Sequence, residues 1–396
     1  MSVTTPTGFE AGGIACGLKA TGAPDLALVA TADRRPVPAA AVFTTNRVQA
    51  APVQVSREHL ADGRAAAVVL NSGNANAATG EAGRRAGRRM CELTADSLGC
   101  SPQDVLVCST GLIGVPVPME PVEAGIPKLA ASLGPRGDLA AEAILTTDTR
   151  AKEFAAAVEL GDGTVGRVGA MAKGAAMLAP AMATMLAVLT TDLAMPADVL
   201  RSLLADAVDD SFHLLSVDGC TSTNDTVVAL ANGAAGNAAI APGTAEYDRV
   251  AQAFRRTCKT LAAEMALDAE GMTKVVGIVV TGARRDDEAR LAARQVANSQ
   301  LVQCSLNGGD AYWGRVLSEL GVSGASFDPE GVEIAYGDVT VCRGGVAAGH
   351  DAAALAAVMA SDHVVITCDL HEGEGRAEMT TTDLSHGYID ENRRTS

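Results

Sequence analysis

The chain has 396 residues, more than one small core can use, and 48% are hydrophobic while only 3% are aromatic, so its interior must be closely packed layers of Ala, Val and Leu. A net charge of −16 works against nucleic acid and anionic membrane surfaces, which need Lys and Arg partners. Nine cysteines without a CxxC pair, and no secretory hydrophobic region after MSVTTPTGFEAGG, read as reduced thiols of a cytoplasmic protein. The longest apolar run is broken at Pro180 and falls short of the roughly 20 residues that span a bilayer.

In chain order, LALVATA from Leu26, AAAVFTT from Ala39 and RAAAVVLN from Arg64 predict short strands, the last running into the Asn/Gly loop NSGNANAATG. A helix follows over Ala82 to Leu98, then an apolar strand in DVLVCSTGLIG that stops at Ser109-Thr110-Gly111. EFAAAVEL and TVGRVGAMAKG, joined by Gly161-Asp162-Gly163, predict a hairpin. Directly after it, KGAAMLAPAMATMLAVLTTD carries Thr184 inside small and apolar residues, where a β-branched hydroxyl suits a buried strand. Pro196 starts a helix with Val199, Leu200, Leu203, Leu204, Ala207 and Val208 at helical spacing. NDTVVALAN predicts a strand, Tyr247 to Leu267 a long helix, TKVVGIVVTGA a strand, and Asp286 to Asn298 a charged helix. The last third returns to strands at VEIAYG, DVTVCR, HVVITCDL and RAEMTTTDL. Alternating strands and helices with antiparallel hairpins make this a mixed, layered α/β protein of two lobes or one large domain.

Several chemistries lack their residues. With no Gly-Lys dipeptide a Walker phosphate loop cannot be written, and no dinucleotide fingerprint opens a helix. HExxH and GxSxG are absent, and the six histidines show no spacing that marks a general base; His213 reads as a hydrogen-bonded helix residue. CDLHEGEG places His371, Glu372 and Glu374 in a Gly-rich turn, which reads as a turn and not a metal site. NSGNANAATG reads first as a strand-to-helix turn, with an amide cradle for an anion as the alternative. What remains is small polar residues at strand ends: Thr110, Thr146, Thr184, Thr221, Ser222 and Asn224. A threonine nucleophile needs no histidine if its own α-amine, which titrates near about 7.7 to 8.0, is free to act as base. Freeing it requires cutting the chain before the threonine.

The segment around Thr184 resembles the self-cleaving segment of the bacterial ornithine acetyltransferase (glutamate N-acetyltransferase) family of arginine biosynthesis. GFEAGGIACGLKATGAPDLAL, VLNSGNANAATG, CSTGLIG, TTDTRAK, DGCTSTNDTV, DAEGMTKVV and DLSHGYIDEN resemble that family's motifs in the same order over nearly the whole chain. The resemblance implies a layered α/β sandwich of the self-processing, N-terminal-nucleophile-like ornithine acetyltransferase/aminopeptidase fold. It implies cleavage between Ala183 and Thr184, giving an α chain of 1–183 and a β chain of 184–396 that begins with the nucleophile. It further implies an oxyanion pair at Thr110 and Gly111, and substrate contacts at Thr146, Lys173, Thr184, Glu270, Asn392 and the C-terminal Ser396 or Thr395.

The expected activity is ping-pong transfer of acetyl from N-acetylornithine to glutamate, without metal or cofactor, acetyl-CoA being an optional co-substrate. Its partners would be these small molecules, with neither nucleic acid nor membrane, in an α/β heterodimer that assembles into a higher oligomer. The alternatives are an amidohydrolase or aminopeptidase of the same fold, a specialised-metabolism paralogue acting on another N-acetyl amino acid, and an unprocessed binding protein. Taken alone, Lys173 and Glu270 would read as surface charges. The chain departs from the family pattern at Ala181, at Ala311 and Tyr312 within GGDAYWGR, at Gln303 where the family has Lys, and in the C-terminal ENRRTS.

Overall fold

The runs LALVAT, LAVLTT and TVVALA show no alternation of polar and apolar residues because both faces of each strand are covered. A computed structural model describes residues 1–179 and 185–393. The chain forms two compact units, each drawn from separated stretches. The first takes Met1–Ala175, a stretch that ends at His213, and Thr221–Met265; the second takes a short segment from Ala176, then Leu214–Cys220 and the chain from Ala266 onward.

The first unit is built on two sheets. One has four strands in the order Phe9–Ile14, Leu26–Thr31, Ala67–Asn71, Val105–Ser109, the last pair parallel. The other has six, in the order Arg64–Ala65, Val37–Phe43, Thr226–Ala231, Leu186–Thr191, Val165–Lys173, Lys152–Glu159. Its two central strands pair in parallel and lie after residue 184, whereas the strands on either side precede it.

Leu70, Val68, Val29 and Leu106 of the smaller sheet meet Val188, Leu186, Val228 and Met171 of the larger in one apolar core. On the far face of the smaller sheet, helices Ala51–His59, Gly80–Leu98 and Met119–Ala131 contribute Val55, Met90, Val122, Ile126 and Leu129 to a second core. Helix Ala197–Asp209 packs on strands Val37–Phe43 and Thr226–Ala231 of the larger sheet. The result is the layered α/β sandwich expected.

The second unit has one six-stranded sheet in the order Val346–Ala347, Val339–Arg343, Glu333–Tyr336, His363–Asp369, Val275–Ala283, Gly375–Thr382. Its strands do alternate, because helices cover one face: Asp286–Ala297 lies on Val275–Ala283 and Gly375–Thr382 with Ala289, Ala293 and Val296 inward.

The predicted strands and longer helices are all present. Helices at Ala51–His59, Met119–Ala131 and Gly137–Ala143, and in the last third at Gln300–Asn307, Trp313–Gly321, Ala352–Met359 and His386–Asn392, were not anticipated. Met119–Ala131 is interrupted by Pro127, and Ala352–Met359 is apolar on every side, so neither carries a clean helical stripe. His371 and Glu372 sit in the turn between strands His363–Asp369 and Gly375–Thr382, where Glu372 pairs with Arg284 at 3.0 Å. His213 holds Asp209 at 3.0 Å. Among the described residues no group of three or more His, Cys, Asp and Glu is arranged to hold a metal ion, and no helix is long and apolar enough to cross a membrane.

Leu70 is wholly buried between the two sheets of the first unit, whereas Val165 on the larger sheet is 46% exposed. Leu70→Ala should therefore lower unfolding free energy by about 2–5 kcal/mol. Val165→Ala should stay within about 0.5 kcal/mol of wild type in the same urea titration.

Candidate active site

Strand Val105–Ser109 ends in a turn that only glycine can make. Gly111 sits at φ +133°, and a Cβ there would lie 2.3 Å from the Gly73 carbonyl carbon and 2.5 Å from the Asn74 nitrogen. The Asn/Gly loop is pressed against this turn and knitted by its own amides. Asn71 Nδ2 donates to the Asn74 carbonyl at 2.8 Å, Ser109 Oγ donates to Asn71 Oδ1 at 2.6 Å, and Asn76 N–H donates to Asn74 Oδ1 at 2.8 Å. NSGNANAATG thus buttresses the turn as a strand-to-helix connection.

The Thr110 amide already donates to the Asn71 carbonyl at 3.0 Å. The donors left for an oxyanion are therefore the Thr110 hydroxyl and the Gly111 amide, which makes no hydrogen bond among the described residues. Lys173, last residue of strand Val165–Lys173, places Nζ 3.3 Å from Thr110 Oγ1 and is only 1% exposed. As the ammonium donates to this oxygen, the hydroxyl proton is left to point elsewhere, and the hydroxyl becomes a better donor.

Lys173 is held by a residue that motif reading passed over. The wholly buried Asp148 carboxylate accepts from Lys152 Nζ at 2.7 Å and from the Gly174 amide at 2.7 Å through Oδ1; its Oδ2 lies 3.9 Å from Lys173 Nζ and 3.2 Å from the Thr146 amide that donates to it. Burial by itself would raise this carboxyl, but the Lys173 and Lys152 ammonium groups and the Gly174 amide outweigh burial and hold it below the ordinary carboxylate range. Asp148 thereby brings Thr146 and Lys173 together. The Thr146 side chain makes no hydrogen bond among the described residues and is exposed.

Thiols do not compete for the chemistry. Cys108, two residues before Thr110, is pushed up to about 12 by burial and is no thiolate at neutral pH.

In the second unit, Glu270 and Asn392 meet: Asn392 Nδ2 donates to Glu270 Oε2 at 2.6 Å and to the Tyr388 carbonyl at 2.9 Å. Gly271, at φ +64°, lets the Glu270 turn reach helix His386–Asn392, since a Cβ would lie 2.1 Å from the Tyr388 nitrogen. Asp218 ties this helix to the segment beginning at Ala176. Its Oδ2 accepts from the Met177 amide at 2.6 Å and the Tyr388 hydroxyl at 3.1 Å, and burial raises its carboxyl above the usual range. Glu270 is only 8% exposed, so neither it nor Lys173 is the solvated surface charge that its residue type alone suggests.

Gln303, in place of the family's Lys, is buried and donates through Nε2 to the carbonyls of Val217 at 2.8 Å and Ala297 at 3.2 Å, so the neutral side chain serves the core. Tyr312 is exposed, with Arg315 over its ring at 5.5 Å. Ala181, Ala183, Thr184, Thr395 and Ser396 lie outside the described residues.

The pattern of the ArgJ family matches residues 10–395. The chain is similar to the arginine biosynthesis bifunctional protein ArgJ of Symbiobacterium thermophilum, 49% identical over 388 residues and covering 98% of this chain and 96% of that protein. It is 44% identical to the protein of the same name from Geobacter sulfurreducens over 388 residues, covering 96% and 97% of the two chains. The crystal structure of arginine biosynthesis bifunctional protein ArgJ from Bacillus halodurans matches with a TM-score of 0.50 and 33% identity, covering 52% of this chain and 97% of that one.

Asp148→Asn would leave two buried ammonium groups without their carboxylate and should cost about 3–5 kcal/mol at pH 7. Because the folded state lowers the Asp148 pKa, its stabilisation is fully present above the unfolded value of about 3.9 and is lost as pH falls through the lower folded value. Urea unfolding across this range should show the gap between wild type and variant closing on acidification; a gap independent of pH would refute the ion pair's role.

Proposed function

The chain belongs to the ArgJ family, and on that premise we propose that it is a self-cleaving acetyltransferase moving acetyl from N-acetylornithine to glutamate in arginine biosynthesis. The observation that carries this reading is the Gly111 amide, which makes no hydrogen bond among the described residues, beside a Thr110 hydroxyl that the buried Lys173 touches, a donor pair suited to an acyl-transfer oxyanion.

In the processing step, the Thr184 hydroxyl adds to the Ala183 carbonyl, the acyl group shifts from nitrogen to oxygen, and water cleaves the ester. The products are an Ala183 carboxylate and a free Thr184 α-amine, in a heterodimer of residues 1–183 and 184–396. The amine then takes the Thr184 hydroxyl proton as the oxygen attacks the acetyl carbonyl of N-acetylornithine. Negative charge on that carbonyl oxygen is received by the Thr110 hydroxyl and Gly111 amide. Collapse forms acetyl-Thr184 and returns the proton to the leaving ornithine amine; attack by the glutamate amine reverses the sequence.

Thr146, Lys173, Glu270, Asn392 and a C-terminal residue, Thr395 or Ser396, are the assigned substrate contacts. Lys173 supplies a cation for a carboxylate, and Glu270, oriented by Asn392, an anion for an ammonium group. Acetyl-CoA loading the same threonine is the second donor route this chemistry allows. No step calls for a metal or a resident cofactor.

Intact-mass measurement of wild-type protein should give residues 1–183 and a fragment beginning Thr-Met-Leu-Ala-Val. Thr184→Ala should stay one chain and transfer no acetyl, and Thr184→Ser should keep part of both activities; an alanine variant still cut at that bond would overturn the nucleophile assignment. Double-reciprocal plots against the two substrates should be parallel, and intersecting lines would exclude the covalent route. Acetate released without acetylglutamate would instead make water the acceptor.

A further inference from the structure

Three consecutive residues, Asn224, Asp225 and Thr226, hold two distant pieces of the first unit together. Asn224 Nδ2 donates to the Ser109 carbonyl at 2.8 Å and the Ala75 carbonyl at 2.6 Å, fixing the strand end that carries Thr110 and Gly111. Asp225 Oδ1 accepts from the Met185 amide at 2.8 Å, and the Thr226 amide donates to the Met185 carbonyl at 3.3 Å. Both backbone polar groups of the residue that follows Thr184 are thus tied down beside a side chain that fixes the oxyanion turn.

Accepting one amide does not call for an acid. Asp225 is wholly buried, and its Oδ2 makes no hydrogen bond among the described residues, a costly arrangement of a kind that persists where geometry is being enforced. Burial pushes the carboxyl well above its usual range; the Met185 amide, Lys173 and Ser222 oppose this without cancelling it. The role of Oδ1, accepting the Met185 amide, is one that an asparagine carbonyl oxygen can copy and leucine cannot.

We propose that Asp225 is a positioning residue for acyl transfer: by holding the Met185 amide while its neighbour Asn224 holds Ser109, it fixes the start of strand Leu186–Thr191 against the turn that carries the Thr110–Gly111 donors. This deepens the function proposed above and rests on it. Asp225 acts on chain cleavage and on acetyl transfer alike, because both proposed reactions draw on the same donors.

The test is full-length Asp225→Asn and Asp225→Leu beside wild type, measuring cleavage by intact mass, kcat and KM for N-acetylornithine, and Tm. The leucine variant should lose about 100-fold in both cleavage rate and kcat, the scale of a 1 Å misplacement, with KM within about twofold. The asparagine variant should recover both to within about tenfold of wild type. A leucine variant that is cut and turns over like wild type overturns the proposal. So does an asparagine variant as damaged as leucine at unchanged Tm. If leucine prevents folding, asparagine alone decides: cleavage and kcat within about tenfold of wild type support the proposal, and a loss of about 100-fold in both at unchanged Tm overturns it. A wild-type chain that is neither cut nor active removes the functional reading and the proposal with it, a result distinct from a failure of the variants alone.

Discussion

The buried carboxylate of Asp148 is the constraint on which the rest of the candidate site depends. Lys152 and Lys173 are both about 1% exposed, and an ammonium group removed from water is tolerated only with a counter-charge and hydrogen bonds at hand. Asp148 supplies that charge to both lysines while accepting the amides of Thr146 and Gly174. A loop, a strand end and the start of the segment that leads to Thr184 therefore share one anion. Lys173 reaches the Thr110 hydroxyl only because its charge has been made affordable inside the protein.

The electrostatics of the molecule work at two scales. Its net charge of −16 describes the outer field and says nothing of substrate. Around Thr110 the local arrangement is the reverse: a buried ammonium, a hydroxyl and the Gly111 amide, which makes no hydrogen bond among the described residues, all present positive ends. Fixed donors of this kind need no reorganisation as charge develops, which is why an acidic protein can carry a site suited to an oxyanion.

Much of the layered fold was legible because its strands are long apolar runs and its larger helices keep a 3.6-residue stripe, as in Ala197–Asp209 with Val199, Leu200, Leu203 and Leu204 inward. The helices that escaped have proline inside, as in Met119–Ala131, or are too short or too uniformly apolar to show a face. Of the candidate residues, Thr110, Gly111 and Lys173 in the first unit and Glu270 and Asn392 in the second were singled out from motifs, while Asp148, Asp225 and Asp218 were not. Each of these acts on backbone amides or on another side chain, and that support is set by packing. A faint signal existed: Asp148 and Lys152 stand four apart in TTDTRAK, and Asp225 is an acid placed at the threshold of the wholly buried strand Thr226–Ala231. No motif shows that the Thr110 amide already donates to the Asn71 carbonyl, which leaves the hydroxyl as that residue's candidate donor.

The order of the larger sheet of the first unit has a consequence for inheritance. Strands Thr226–Ala231 and Leu186–Thr191 lie in its middle, flanked by strands that precede residue 184. Two polypeptides made separately on either side of that point would each emerge with bare, hydrophobic strand edges, which are templates for aggregation. The sheet is most safely assembled from one continuous molecule. A single chain that carries both sets of strands covers those edges as it folds, and a gene split at that point would leave each product to find its partner with the edges bare.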